Sequence, residues 1–227
     1  MVPEFLKRLE AHGTLERAAW DKNYHKSKRD HFGTPAPIAR KLVQEFIKPL
    51  SNEERLIFAQ NLWKTNHFDA MMAATKVCEK IKPGPALWQT LLTFLPDIDG
   101  WGLEDGLCHA TWNCIAHNET LLDTLETWTK HPNFWIRRAA LVYTLPYAKP
   151  GQNPERMLSW AATYTPDPEW FIQKSIGWWL RPLAPHNPSR VLEFLTDHPL
   201  KGVALREATR KLPSQHSTVK FLTQLPF

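Results

Sequence analysis

The sequence is poor in glycine and cysteine, and it contains no long apolar run. Its 227 residues include nine Gly and three Cys. Few glycines disfavour glycine-rich phosphate loops and hairpin-rich all-β folds. No stretch approaches the roughly 18 uncharged apolar residues of a membrane-spanning helix, so we expect no membrane partner. An odd, small number of cysteines is typical of a reduced protein, and with no secretory apolar segment at the N-terminus we expect a cytoplasmic location.

Several common catalytic and metal-binding motifs are also missing. The sequence contains no GxxxxGK[ST], GxSxG, HExxH or CxxC motif. Cys108, His109, Cys114 and His117 lie close together, but their spacing is not that of a zinc site. We therefore interpret them as residues of an ordinary packed helix, and we expect neither a metal nor another cofactor.

The positive charge is concentrated at the two ends of the chain. The formal net charge is +5, and residues 1–50 and 201–227 each carry +4, which leaves −3 for residues 51–200. Between Pro83 and Thr129 there are seven acids and no Lys or Arg. Basic ends around an acidic, aromatic centre favour a polyanion held near a site that needs negative charge. An ordinary solvated surface remains the alternative interpretation.

Helical patterns cover most of the chain. Glu4 to His12 has apolar residues at helical spacing, Pro37 can open a helix, and Ser51 to Glu54 is typical of a capping box. Further helices are predicted over 67–82, 86–95, 101–116, 119–130, 133–146, 154–165, 168–183, 188–197 and 202–212. Because no run of alternating β-branched residues is convincing, the sequence predicts an all-α fold.

Some of these helices repeat along the sequence. Residues 131–138 align with 167–174 at an offset of 36, and the helices that follow align at an offset of 34. A weaker similarity aligns Trp101 with Trp135. Two-helix units of about 35 residues indicate a HEAT-like helical-repeat solenoid, an α-α superhelix whose concave cleft suits a long ligand. An irregular bundle with one chance duplication is the alternative. We expect a single domain over 1–227.

One candidate site lies in the segment that begins at Trp101. Trp101, Asp105 and His109 are spaced i, i+4, i+8, so one helix face presents an indole, a carboxylate and an imidazole. Leu103 and Leu107 take a different face. A polar stripe that contains Trp is unusual for a solvent-facing surface. The alternative is a Trp half-covered by packing and an Asp that caps a helix.

A second candidate site lies in the later repeat. Lys174, Trp178 and Arg181 share one helical face, and Arg138 occupies the equivalent face one repeat earlier. Cations and an indole from successive repeats would line one concave surface, where they could contact phosphates and stack on sugar or base. Packing alone is the alternative, since tandem Trp residues are often core.

Several motifs in a fixed order resemble one family. Residues 170–181, WFIQKSIGWWLR, resemble the FFIQKAIGW-LRE signature of the AlkD-like DNA alkylation repair family, the HEAT-like-repeat DNA glycosylases. Residues 134–140 are similar to its WLxRAA segment, and residues 101–105 match its WxxxD pair. Residues 24–27 and 31–35 resemble its N-terminal DNA-contacting helix and the following turn. The similarity runs over most of the chain.

The resemblance implies a reaction and the residues that perform it. It implies a DNA glycosylase that excises cationic N3- or N7-alkylated purines without flipping the base, with Asp105, Trp101 and Trp178 as catalytic residues. Arg138 would hold a backbone phosphate near the lesion. Two indoles and one carboxylate could suffice, because a cationic purine is already a good leaving group and only the positive charge developing on the sugar needs stabilisation.

The implied partner is double-stranded DNA that contains alkylated purines. Tyr24 and Lys26 match the DNA-contacting helix of the family, and Lys174 and Arg181 supply further cations for the phosphates. We expect a monomer that associates with the nucleoid when it is bound to DNA. A non-catalytic binder of branched or distorted DNA and a protein–protein scaffold are the alternative functions.

The chain departs from the family pattern near the candidate carboxylate. Gly102 and Gly106 stand where helix-forming residues are expected, so a looser helix is predicted there. His109, one turn after Asp105, is not part of the family motif. Its imidazole could pair with the carboxylate or simply pack.

Overall fold

A computed structural model describes residues 1–213, and this part of the chain contains α-helices, short 3₁₀ turns and no strand. It forms two compact units, the first from Met1 to Asp123 and the second beginning at Thr124. The helices of the first unit are α1 Val2–Glu10, α2 Leu15–His25, α3 Ala36–Ile47, α4 Asn52–Trp63, α5 Phe68–Cys78, α6 Pro85–Phe94 and α7 Trp101–His117. Helix α8, Leu122–Trp128, spans the boundary. The second unit continues with α9 Phe134–Val142, α10 Glu155–Thr163, α11 Trp170–Leu183, α12 Pro188–Asp197 and α13 Gly202–Thr209.

The all-α prediction is confirmed, and local sequence signals explain where the helices begin. At the start of α4 the Ser51 hydroxyl accepts from the backbone N–H of Glu54, while the Glu54 carboxylate accepts from the backbone N–H of Ser51. This is the predicted capping box, which satisfies N–H groups that have no partner inside the helix. Helix α2 is missing from the helices that the apolar periodicity predicts, because Trp20 and Tyr24 are exposed and blur its apolar stripe.

The first unit is built around α5. Helices α3, α4 and α7 all pack against it. Phe58 of α4, Met71 of α5, and Leu103 and Leu107 of α7 are fully buried, so the predicted apolar face of α7 is confirmed. Burial of such side chains supplies the main driving force for this packing.

The expectation of a looser helix around the two glycines of α7 is wrong. Helix α7 runs without interruption from Trp101 to His117, and both glycines are buried. A Cβ at Gly102 would lie 2.5 Å from Nδ1 of His25, and one at Gly106 would lie 2.9 Å from the Thr75 hydroxyl. The glycines are therefore required because neighbouring residues approach the helix closely, and the contacts outweigh their low helix propensity.

The second unit shows the predicted repeat. Helices α9 and α11 begin at Phe134 and Trp170, 36 residues apart, and α11 packs against both α9 and α13. The equivalent arginines Arg156 and Arg190 also each form an ion pair with a glutamate of an earlier helix: Arg156 contacts Glu126 of α8 at 2.5 Å, and Arg190 contacts Glu155 of α10 at 2.9 Å. The helical-repeat fold is thus confirmed in packing as well as in sequence. A single domain over 1–227 stays a prediction. Of the basic C-terminal end predicted over 201–227, residues 214–227 lie outside the described residues.

Among residues 1–213, no helix combines the length and apolarity that crossing a membrane requires. Over the same residues, no group of three or more His, Cys, Asp or Glu side chains is placed to hold a metal ion.

Candidate nucleic-acid repair site

Trp101 is the first residue of α7, and contacts with α2 fix its position. Its indole Nε1 donates a hydrogen bond of 2.8 Å to the backbone carbonyl of Tyr24. The two rings also meet edge to face, with centroids 5.0 Å apart. The structure therefore brings together Trp101 and Tyr24, two predicted site residues that are 77 positions apart in the sequence.

Asp105 lies one turn further along α7 and is partly exposed, whereas the adjacent Glu104 is fully buried. Of these two neighbouring acids, only Asp105 can therefore reach a ligand. Burial raises the pKa of the Cys108 thiol to about 12, and the Asp105 carboxylate adds to the rise. Cys108 is consequently a neutral thiol at physiological pH. His109 is exposed.

Asp99 lies just before α7, and its side chain connects the start of this helix to the loop that follows α2. Its carboxylate accepts hydrogen bonds from the Ser27 hydroxyl, at 3.0 and 3.1 Å, and from the backbone N–H of Lys28, at 2.9 Å. It also forms a 2.5 Å ion pair with Arg29. Gly100 completes the contact, since a Cβ there would lie 2.3 Å from the His25 carbonyl oxygen. Sequence reasoning assigned no role to Asp99, although it lies in the segment that leads into Trp101.

Replacing Asp99 by Ala is expected to destabilise the first unit by about 2–3 kcal/mol, because a partly buried carboxylate with three partners is lost. Asp30→Ala is the matched control, since the Asp30 carboxylate is 94% exposed and, among residues 1–213, forms one ion pair, with Lys22 at 3.8 Å. Urea unfolding of both variants measures the difference. Equal midpoints would show that Asp99 does not anchor the loop.

His25 fills the space beneath the start of α7. Its ring lies between Phe68 and Trp101, with both centroid distances 4.8 Å. Its Nδ1 is buried and makes no hydrogen bond with any residue of the described part of the chain, and the same is true of Nδ1 in His67. Burial is the main cause that lowers the pKa of both imidazoles below the ordinary 6.5. The fold therefore favours the neutral form of both rings.

Acidification is expected to destabilise the protein already between pH 6.5 and 5.5. A folded pKa below the unfolded pKa of 6.5 means that the unfolded state binds protons first. The contribution of the neutral rings to the free energy of unfolding is therefore complete above pH 6.5 and falls as the pH drops. Urea midpoints at three pH values measure it. His67→Gln should flatten this dependence, whereas His12→Gln, which alters an exposed ring, should leave it unchanged.

In the second unit, Arg138 of α9 lies over the ring of Trp178 of α11, with 5.5 Å from the guanidinium carbon to the ring centroid. Arg138 is 2% exposed, and burial lowers its pKa to about 10. The expectation that the Arg138 side chain lies accessible on a helix face is wrong, since packing covers it. Trp178 itself is partly exposed.

The other predicted cations of α11 have partners of their own. Lys174 is partly exposed, and its Nζ lies 5.1 Å from the ring centroid of Trp170. Arg181 forms a 2.6 Å ion pair with Glu207 of α13. The opposite face of the helix packs inward, with Ile172, Ile176 and Trp179 fully buried.

Lys26 ends α2. It adopts the left-handed conformation at the C-cap, with φ of 58°, and its ammonium is exposed. The sequence-predicted site residues thus form two groups, one in each unit. The group of the first unit is Tyr24, Lys26, Trp101 and Asp105, and that of the second unit is Arg138, Lys174, Trp178 and Arg181.

Comparisons with known proteins agree with this architecture. A solved structure described as a predicted DNA alkylation repair enzyme from Enterococcus faecalis superposes with a TM-score of 0.74. The two chains are 24% identical over 89% of this chain and 98% of the other, which establishes a common fold. No match is found among curated proteins. The family model for the DNA alkylation repair enzyme matches residues 5–212, across both units, and the chain therefore belongs to the DNA alkylation repair enzyme family.

Proposed function

We propose that the protein is a DNA glycosylase, which hydrolyses the N-glycosidic bond of cationic N3- or N7-alkylated purines in duplex DNA without flipping the base. The observation that supports this most directly is the pair at the start of α7. Trp101 is held by Tyr24, and the partly exposed Asp105 carboxylate lies one turn away, beside a buried Glu104. A fixed indole and an accessible carboxylate are suited to stabilising a cation.

The proposed reaction needs no general acid. When the bond between C1′ and the purine nitrogen breaks, its electron pair neutralises the positive charge that alkylation placed on the base. Positive charge then develops on the sugar, where the Asp105 carboxylate and the indole face of Trp101 stabilise it. Water adds to C1′ and loses a proton, which Asp105 can accept. The products are the free alkylpurine and an abasic site.

DNA contacts from both units would accompany this chemistry. We assign phosphate contacts to the exposed Lys26 and the partly exposed Lys174, and contacts with the sugar to Tyr24 and Trp178. Arg138, which is 2% exposed, is assigned to positioning the ring of Trp178 instead of to a phosphate. Arg181 can contact a phosphate only in competition with Glu207, so its contribution to affinity is expected to be smaller than that of Lys174.

Incubation with methylated duplex DNA tests the proposal. The wild-type protein is expected to release free 3-methyladenine and 7-methylguanine, which chromatography separates from the DNA, and to leave abasic sites. Binding of branched or gapped duplexes without release would favour a non-catalytic DNA-binding protein. Binding that is independent of salt would count against phosphate contacts and favour a protein scaffold.

A further inference from the structure

An exposed aromatic pair on α2 extends the site of the first unit. Trp20 is 53% and Tyr24 51% exposed, although large aromatic side chains usually bury most of their surface. The two rings stack on each other, with centroids 4.5 Å apart and planes inclined by 18°. The family motifs in the sequence include Tyr24 but not Trp20, so Trp20 has no role in the site described above.

The pair is held rigidly. The Arg17 guanidinium lies over the Trp20 ring at 4.9 Å, and the Nε of Arg17 donates 2.9 Å hydrogen bonds to both carboxylate oxygens of the buried Asp21. On the other side, the backbone carbonyl and the ring of Tyr24 both contact Trp101. Rings fixed in this way lose little conformational entropy when a ligand binds.

The surroundings of the pair are basic. Lys22, Lys26 and Lys28 lie on the same helix or directly after it, and all three are exposed. The only ion pair described for Lys22 is the 3.8 Å contact with Asp30. Exposed aromatic rings that are surrounded by lysines are typical of nucleic-acid binding, because the lysines can contact the phosphates while a base stacks on the rings. An apolar protein surface would leave these charges without partners.

We propose that Trp20 and Tyr24 bind a nucleobase that has lost its stacking partner in damaged DNA. This inference rests on the proposed function, since the pair adjoins Trp101 and the stacking gap would be the one at the lesion. The pair would stabilise the distorted duplex by replacing a lost base–base contact with an aromatic one. Trp20 would thereby determine the preference for damaged over intact DNA.

The experiment uses a duplex with 2-aminopurine opposite a tetrahydrofuran abasic analogue, which contains an unstacked base but no alkylated purine. The wild-type protein is expected to bind this duplex about tenfold more tightly than the intact duplex and to quench the 2-aminopurine fluorescence. Trp20→Ala and Trp20→Leu should lose both effects, because leucine keeps the apolar bulk but not the ring. Trp20→Phe should recover most of both.

Ile57→Ala is the matched control, because Ile57 is 50% exposed on α4 and should leave binding unchanged. Circular dichroism verifies that each variant is folded. No quenching by the wild type would overturn the proposal, as would full preference and quenching in a folded Trp20→Leu. If alanine at position 20 prevents folding, the comparison of leucine with phenylalanine decides.

The outcome is independent of the glycosylase reaction. Quenching that depends on Trp20, in a protein that releases no methylated base, would overturn the proposed reaction and leave this base contact standing. Release of methylated bases by a wild type that neither quenches the fluorescence nor prefers the abasic duplex would overturn the proposed base contact and support the proposed reaction.

Discussion

Replacing Asp105 by Asn is expected to slow the release of methylated purines by about 10- to 1,000-fold, which corresponds to roughly 1.4–4 kcal/mol of activation free energy. The substitution keeps the shape of the side chain and removes its charge. Because Asp105 is partly exposed on an uninterrupted helix, the fold should persist. Single-turnover release at saturating DNA measures the rate, and a separate titration measures affinity.

Affinity for DNA should stay the same or increase slightly in Asp105→Asn. In the proposed reaction the carboxylate would attract the sugar only when positive charge develops in the transition state, whereas it would repel the phosphates at every stage. The effect should be smaller for 7-methylguanine analogues that leave more readily, since their bond breaks with less assistance from the protein.

Glu53→Gln provides the matched control for Asp105→Asn. It removes one negative charge from an exposed position in the first turn of α4 and should change neither the rate nor the affinity. Unchanged release by Asp105→Asn would remove the catalytic role from this carboxylate. Loss of binding in parallel with loss of release would indicate a structural effect instead.

Much of the fold could be predicted because its signals are local. The capping box at Ser51 involves residues three positions apart, and the repeat that begins α9 and α11 is visible as two similar segments. The inward face of α11 follows from helical spacing alone. Helix α2 was not predicted from the apolar periodicity because its aromatic residues Trp20 and Tyr24 are exposed and do not form a buried apolar face.

The support around Trp101 could not be predicted because it depends on contacts between distant segments. The Asp99 carboxylate accepts a hydrogen bond from Ser27, which is 72 positions away in the sequence. Position 102 must be glycine because the His25 ring leaves no room for a Cβ. The same limit applies to Arg138. Helical spacing places it on the face equivalent to that of Lys174, but only packing shows that its guanidinium is covered.

Trp178→Ala is expected to weaken DNA binding about tenfold and to slow release at saturating DNA by about a further tenfold. An aromatic contact of this kind is worth roughly 1–3 kcal/mol, and the indole would contact the sugar before the bond breaks as well as during the reaction. Trp178→Ala should therefore affect both measurements, in contrast to Asp105→Asn, which should affect only the rate.

Because Arg138 lies next to Trp178, Trp178→Ala is expected to lose little stability, and its effects on binding and release can be distinguished from unfolding. Arg138 is 2% exposed and its guanidinium lies over this ring, so removing the indole lets water reach a charge whose burial lowers its pKa to about 10. That hydration should offset part of the stability lost with the indole, and the thermal midpoint should fall by only a few degrees. Trp178→Phe keeps an aromatic face over Arg138 and should recover most of the affinity. Normal binding and normal release by a folded Trp178→Ala would exclude Trp178 from the site and leave catalysis to the residues of the first unit.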